Sequence, residues 1–354
     1  MGHVVEDLGG AMELYRRLGF TLPPPSVPAM PPREGAPPEP FGAANTHADF
    51  PRGFVELVTA VRPGVGSLPP DVHLVPLEAP PEVLPQLVRR ISGTSAGLAA
   101  LLDRFEGLHI LMLAAPDIDA AAARLTSGGE RHGGVNSVRC PARTEAGDTV
   151  VETVSYLELD GEGPGGAQGR VAEGRVGAVA ELDPAIQGPR VLDHPNGAVD
   201  LVDAVLCVPD DELEVWSERY GSRLGRSYRE EGPARVFDLG PRGCGVTLVP
   251  ASGLGKVLPG EAGPVAAGEG ALGLPGEEAL GMSGAGVSAS PGEGVAVLAP
   301  ALPVFVAYAV AVRDLAAARD LLDANGFHPR RTASGDVFVP AAEALGAAVV
   351  FRQA

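Results

Sequence analysis

A strand-helix unit of constant length recurs along the 354-residue chain, and this repeat constrains the fold more than any other feature of the sequence. Each copy consists of an apolar run, an aspartate, an Ala- or Leu-rich helical pattern and a closing glycine. In three copies the apolar residue after the aspartate and the glycine stand the same distance apart: Leu8 and Gly19, Ile118 and Gly129, and Leu315 and Gly326. The interval fits about three turns of helix ended by a left-handed glycine cap. With a looser copy at residues 204–225, the chain is predicted to contain four strand-helix units.

The clearest copy spans residues 107–129. Its apolar run is typical of a buried strand, a Pro-Asp pair interrupts it, and an Ala-rich helical pattern then ends at two glycines. His109 is the lone polar side chain inside the apolar run. This segment therefore supplies both the strongest fold signal and the first candidate for a functional residue.

The net charge of −18 excludes nucleic acid and anionic membranes as favoured partners, because both would repel this surface. The apolar stretch at 295–312 is interrupted by two prolines and is not expected to span a membrane. Cys140, Cys207 and Cys244 show no metal-binding or redox spacing, and their number is odd. Without a secretion-type start, the sequence predicts a reduced, cytoplasmic protein.

Further segments surround the four units. Residues 45–50 and 54–59 alternate in polarity and predict a hairpin. The proline-rich segment 23–40 is expected to be an extended loop, and 60–105 a connector with a helix at 96–105. The Gly-, Ala- and Pro-rich segment 260–300 is expected to be a flexible insertion.

The motif His194-Pro195-Asn196-Gly197 interrupts the chain near its middle. A chain of this length has a prior of two domains. We therefore predict one domain at 1–190 and a second at 196–354, which carries the insertion 260–300. Four histidines outside the apolar runs are predicted to be solvated: His73, His132, His194 and His328.

These features together resemble the glyoxalase-like branch of the vicinal oxygen chelate superfamily. The resemblance depends on the Asp-Leu to Gly-Phe signature of the repeat and on several short motifs in the expected order. The motifs are Gly42-x-x-Asn45, Phe54-Val55-Glu56-Leu57, Glu106-Gly107-Leu108-His109-Ile110 and His194-Pro195-Asn196-Gly197-Ala198. The resemblance implies an α+β fold in which four βαβββ modules pair into two domains, each with a cup-shaped sheet of mixed and antiparallel strands.

The resemblance also implies a divalent metal, Zn, Ni, Mn or Fe, held in the cup by histidine on first strands and glutamate on last strands. Such donors leave open positions at which a substrate with two oxygens can chelate. Carried over to this chain, the ligands are Glu56, His109 and Glu181. Asn45 and His47 alternate onto one side of their strand and are expected to line the pocket beside Glu56.

The chain departs from the family pattern at the first ligand, which would fall before Met1. His3 stands about three residues further on, so strand alternation is expected to aim it at the opposite face. Either the true start lies upstream or the metal site is incomplete. In the second domain Val246 or Thr247 takes the place of Glu56, and Asp203 is interpreted as a strand-edge acid. That half is therefore predicted to be a structural or substrate-shaping copy.

Two functions remain open. The first is a metal-dependent lyase, isomerase or dioxygenase acting on a small oxygenated metabolite. The second is a metal-free protein that binds or sequesters a small molecule, with Glu56 and His109 making hydrogen bonds alone. An interaction scaffold would gain support if side chains filled the first cup. A homodimer is compatible with all three, since modules of this superfamily also pair between chains.

Overall fold

The computed structural model has the predicted α+β fold, built from four successive βαβββ modules. Strands and helices follow one another in the same order in each module, and short extra elements lie in the connections. The residues that the structure describes are 1–33, 35–61, 68–77, 79–143, 149–161, 169–181, 190–240, 244–261 and 301–354.

The first module contains three strands that the sequence did not predict. Two fall within segment 23–40, which the prolines had marked as a loop, and the third lies in the connector 60–105. Val27 and Ala29 alternate into the core despite the intervening Pro28, so the segment pairs as a strand. The module comprises β1 (Gly2–Val4), α1 (Leu8–Arg17), β2 (Ser26–Met30), β3 (Glu39–Pro40), β4 (Ala43–Phe50), β5 (Gly53–Ala60) and β6 (His73–Pro76).

A long helix, α2 (Leu84–Leu102), occupies much of the connector between the first two modules. The sequence predicted a helix at 96–105 alone, because prolines discourage helix interiors. Here a proline lies in the first helical turn, where its missing N–H has no helical partner to lose. The helix therefore starts twelve residues earlier than expected and has 19 residues.

The repeated aspartate and glycine mark the two ends of a helix in the second module. The Asp117 carboxylate accepts a hydrogen bond from the Ala120 N–H at 2.8 Å and so caps the N-terminus of α3. Gly129 ends the unit with a φ of 79°. The module comprises β7 (Gly107–Ala115), α3 (Ile118–Ser127), β8 (Asn136–Arg143), β9 (Thr149–Glu158) and β10 (Arg175–Ala180).

The third and fourth modules repeat the arrangement. Asp314 caps α6 through the N–H groups of Ala316 and Ala317. The third module comprises β11 (Ala198–Val208), α4 (Leu213–Leu224), β12 (Tyr228–Glu231), β13 (Ala234–Asp238), β14 (Gly245–Pro250) and α5 (Leu254–Val257). The fourth comprises β15 (Val304–Val312), α6 (Leu315–Ala324), β16 (Arg330–Arg331), β17 (Val337–Val339) and β18 (Ala348–Gln353).

Strand pairing groups the modules two by two. In the first pair of modules, β1 lies antiparallel to β7, and each runs parallel to the last strand of its own module, β5 or β10. The second pair repeats this with β11 against β15, flanked by β14 and β18. Each pair thus presents one sheet face to its helices and an opposite face, which we call the first cup and the second cup.

One apolar core joins the two pairs on the helix side of the sheets, with members from all four modules. Strands β7 and β15 also pair at Leu108 and Phe305. His194 was predicted to be solvated, but it is only 2% exposed. Its ring accepts from the Thr21 N–H and donates to the Asp49 carbonyl, which attaches the segment between the two pairs to the first module. Of the predicted insertion 260–300, residues 262–300 lie outside the described residues, and the domain boundaries stay a prediction.

Among the helices within the described ranges, no segment has the length and apolar character needed to span a membrane.

Candidate functional site

The first cup is the sheet face that carries Gly2, Glu56 and Ile110 side by side on β1, β5 and β7. The neighbouring strand β4 adds His47 opposite Glu56 and Asn45 opposite Val58. These side chains share one face because paired positions point the same way and the strand period is two.

Helix α2 covers the apolar floor of the first cup. Leu98 and Leu101, each 1% exposed, pack against Val58 and Ile110. The helix comes so close to β4 that a Cβ on Gly42 would lie 2.3 Å from Ile91, so glycine is required there. The floor is therefore filled by protein side chains, although the interaction scaffold would require the whole cup to be filled.

A polar group lies midway along β4 and β5, and we call this partly exposed part of the sheet the open end of the first cup. The Asn45 amide donates to Glu56 Oε1 at 2.7 Å, and His47 Nε2 lies 3.8 Å from the same oxygen. The His47 ring stacks on Phe54 with centroids 4.3 Å apart, and Phe54 is 41% exposed. The structure thus brings three predicted residues together at an accessible edge.

The Glu56 carboxylate is favoured in its ionised form. Burial would raise its pKa, but His47 and the Asn45 amide hold the pKa below the ordinary glutamate value. About a fifth of the side chain is exposed, so the charge faces the entrance. This end of the cup presents a hydrogen-bond acceptor bearing negative charge.

His109 does not join that group. The β1–β7 pairing shifts register at this point, matching Gly2 with Ile110 and His3 with Leu108, so His109 lies at the irregularity between them. Its Nε2 donates to the Phe105 carbonyl at 2.8 Å, and its ring packs on Phe105. Burial lowers the pKa of His109 to about 4, so the ring is neutral.

Glu181 lies elsewhere on the sheet. It follows β10, and its N–H donates to the carbonyl of Ala115 at the far end of β7 from His109. Six residues of strand separate these positions, which corresponds to about 20 Å. Glu181 is exposed, and Glu158 at the end of the neighbouring strand β9 is paired with Arg175. The three predicted metal ligands therefore do not converge.

His3 points to the opposite face of the sheet, as strand alternation predicted. Its Nε2 donates to the Leu345 carbonyl at 2.7 Å, and Tyr15 donates to Nδ1 at 2.9 Å. Tyr308 in turn donates to Tyr15 at 3.2 Å. Burial lowers the pKa of His3 to about 4, and this neutral histidine belongs to the core between the two pairs.

The residues of the first cup do not fit the metal centre that the family implies. A Cβ on Gly2 would lie 2.7 Å from Ile110, so β1 offers no room for a ligand beside Glu56. Among the described residues, no three of His, Cys, Asp and Glu are arranged to hold a metal ion. Asn45 and His47 contact Glu56 directly, and these contacts need no metal ion.

The second cup contains a polar group, Asp203, Thr247 and Arg352, that the sequence interpretation missed. Asp203, taken for a strand-edge acid, is only 8% exposed in its side chain. Thr247 donates to its carboxylate at 2.9 Å, and Arg352 lies 3.8 Å away and bonds to Asp336. Burial raises the pKa of Asp203 to about 6, more than Arg352 lowers it.

Spacing within the repeat could have identified Asp203. It stands seven residues before Asp210, just as Ile110 stands seven before Asp117, and Ile110 faces the first cup. Register gives the same answer for Thr247, which lies opposite Val205 as Glu56 lies opposite Gly2. The position of Asp203 in the repeat therefore indicated the cup face, but an aspartate is not the ligand type that the family pattern places there.

A cavity of about 690 Å³ lies away from both cups, in the groove between α3 and α4. Arg223 crosses it and bonds to Glu130 from the first pair and to the fully buried Glu173. Because one guanidinium bonds to two carboxylates here, we describe the groove as a polar seam between the pairs.

Residues 1–222 match the family model described as a glyoxalase-like domain. The chain belongs to this family, within the vicinal oxygen chelate superfamily. The match includes the whole first pair of modules and extends through most of α4. No sequence among the curated proteins matches this glyoxalase-like chain.

Solved structures with a similar fold include a mutant 4-hydroxymandelate synthase from Streptomyces coelicolor, at 15% identity and a TM-score of 0.45, covering 96% of this chain and 76% of that one. A Mn(II)-bound glyoxalase from Novosphingobium aromaticivorans has 13% identity and a TM-score of 0.46, covering 99% and 79%. A 2,2',3-trihydroxybiphenyl 1,2-dioxygenase from Sphingomonas wittichii strain RW1 has 11% identity and a TM-score of 0.41, covering 97% and 86%. Likenesses at this level bear on neither reaction nor ligand.

Proposed function

We propose that this glyoxalase-like protein binds a small organic cation, or a molecule rich in hydrogen-bond donors, at the open end of the first cup without a metal ion. The observation that supports this function is the convergence of Asn45, His47 and Glu56 at an accessible edge. His109 and Glu181, which a metal-dependent function would require beside Glu56, lie apart from that group.

Each side chain has a separate task in this proposal. The Glu56 carboxylate accepts hydrogen bonds from the ligand and balances its charge. Asn45 fixes one carboxylate oxygen, which orients the other towards the entrance. The exposed ring of Phe54, stacked on His47, supplies an apolar wall on which a flat or cationic group can rest.

The filled floor limits the size of the ligand. Because α2 occupies the apolar depth, the ligand lies across the rim and does not penetrate between the sheets. This distinguishes the proposal from the drug-sequestering and metal-dependent alternatives, which both use the interior of the cup.

The test is titration of the protein with 4-fluorobenzamidine, followed by ¹⁹F NMR, together with metal analysis of the purified protein. We expect binding that Glu56→Gln weakens about tenfold, the effect of losing one charged hydrogen-bond partner. Glu181→Gln removes an exposed glutamate outside the cup and serves as the matched control, with binding unchanged.

Two results would contradict the proposal, and the first would favour the metal-dependent alternative. A stoichiometric divalent metal that is lost in both Glu56→Ala and His109→Ala would overturn the proposal. Equal affinities in the wild type and Glu56→Gln would also overturn it, because the carboxylate would then have no part in binding.

A further inference from the structure

The second cup combines a guanidinium and a buried carboxyl group on one face of the sheet. Arg352 extends from β18 on the same face as Ala309 and Val350, and Asp203 extends from β11 opposite Ala309. The Arg352 side chain is 40% exposed, whereas that of Asp203 is 8% exposed. The guanidinium therefore lies towards solvent, at the entrance, and the carboxyl group lies inside the protein.

The contact between these two groups is incomplete. Arg352 Nε donates to Asp336 at 3.2 Å, but the terminal NH2 nitrogen lies 3.8 Å from Asp203, beyond hydrogen-bond range. The Asp203 carboxylate accepts hydrogen bonds from the Thr247 hydroxyl and from the backbone N–H of Ala204. A guanidinium presents a fork of donors that matches a carboxylate, and in this arrangement part of the fork faces Asp203 without bonding to it.

We propose that the second cup is a separate binding site for a small carboxylate, which Arg352 holds at the entrance and the Asp203 carboxyl group meets from inside. One oxygen of the incoming carboxylate lies beside both groups, accepting from the guanidinium and from the protonated acid. Thr247 keeps the acid oriented. The site is independent of the function proposed for the first cup.

Proton uptake accompanies binding at this site. Burial raises the pKa of Asp203 to about 6, and an anion placed beside it raises the pKa further. Below that pH the acid is neutral and donates to the ligand. Above it the acid is ionised, repels the ligand and competes for Arg352, so the affinity for a carboxylate falls as the pH rises.

The other charged or titratable groups that face Asp203 do not supply this dependence. Arg229 approaches from β12 and is paired with Glu231, while Asp336 precedes β17 and is bonded to Arg352. Burial raises the pKa of the Cys244 thiol, which is therefore neutral. The titration of Asp203 is the step expected to set the pH profile.

The probe is 4-fluorobenzoate, observed by ¹⁹F NMR at about pH 5 and about pH 8. We expect binding at least about tenfold weaker at the higher pH, because the acid must be protonated to receive the ligand. Arg352→Gln should weaken binding at the lower pH about tenfold, with partial recovery in Arg352→Lys, which keeps the charge. Asp203→Asn retains a donor at every pH and should bind equally at both.

Glu181→Gln is the matched control, since it removes an exposed carboxylate that lies outside both cups and should leave benzoate binding unchanged. Unfolding curves of each variant establish that the fold is retained. The proposal is overturned if millimolar 4-fluorobenzoate gives no binding at about pH 5, if binding persists undiminished in folded Arg352→Gln, or if Asp203→Asn keeps the wild-type pH dependence. Failure of benzamidine binding alone affects only the first cup.

Discussion

The two cups have the same strand order and register but place their carboxylates at different positions. In the first, Glu56 lies on the last strand of a module beside an amide and an imidazole. In the second, that position is Thr247, and the acid is Asp203 on the first strand, facing Arg352. The repeated topology thus sets where a pocket forms, while single side chains set what each pocket can bind.

The surroundings also shift the pKa values of Glu56 and Asp203 in opposite directions. Hydrogen-bonding neighbours hold the pKa of Glu56 below its ordinary value despite burial. Burial raises the pKa of Asp203 to about 6, since Arg352 is too far away to compensate. One cup consequently keeps its charge at neutral pH, and the other changes its charge near pH 6.

The largest expected effect tests how the first cup is closed. Leu101→Ala on α2 should lower the free energy of unfolding by about 2–5 kcal/mol, because it leaves a cavity against the sheet. Gln86→Ala, at an exposed position of the same helix, is the control. Chemical denaturation measures both, and equal effects would show that α2 does not seal the cup.

Acid should destabilise the first pair of modules through its buried histidines. The pKa of His3 and of His109 is about 4 in the folded protein, against 6.5 when unfolded, so stability is complete above pH 6.5 and is lost as the pH falls towards 4. Each histidine should account for about 3 kcal/mol of the unfolding free energy that is lost on acidification. His109→Gln should flatten this limb of the stability-pH profile, and an unchanged limb would contradict the assignment.

The second pair should respond to pH in the opposite sense. The pKa of Asp203 is raised from 3.8 to about 6, so its cost to folding is absent below pH 3.8, grows between these values and is complete above about 6. Asp203→Asn should therefore raise the free energy of unfolding at about pH 8 by up to about 3 kcal/mol, with little change at about pH 4. Denaturant titrations at the two pH values measure the difference, and a uniform gain would argue against titration as its cause.

The smallest effect concerns the acid that the family pattern placed with the ligands. Because Glu181 is exposed at the end of β10, Glu181→Gln should change stability by no more than about 0.5 kcal/mol. A large loss of stability, or loss of a bound metal, would show that Glu181 belongs to a site and would contradict its exposed position away from Glu56 and His109.

Local chemistry explains how much the sequence could predict. Aspartate caps and closing glycines act within one helix, so residues 118–129 and 315–326 were predictable as units. Alternation placed Asn45, His47 and Glu56 on one face for the same reason. Nothing comparably local shows the register shift that places His109 outside the polar group. The repeat spacing does place Asp203 on the cup face, but its burial depends on residues distant in sequence. Prolines concealed β2 and most of α2, because only packing showed that they could be accommodated.

The pairing of β7 with β15 and the contact between Tyr15 and Tyr308 have a calorimetric consequence. Since one core spans both pairs of modules, heat cannot expose half of it without stripping apolar cover from the other half. The chain should therefore melt in one endotherm whose calorimetric enthalpy equals its van't Hoff enthalpy, even though its architecture is that of two duplicated halves.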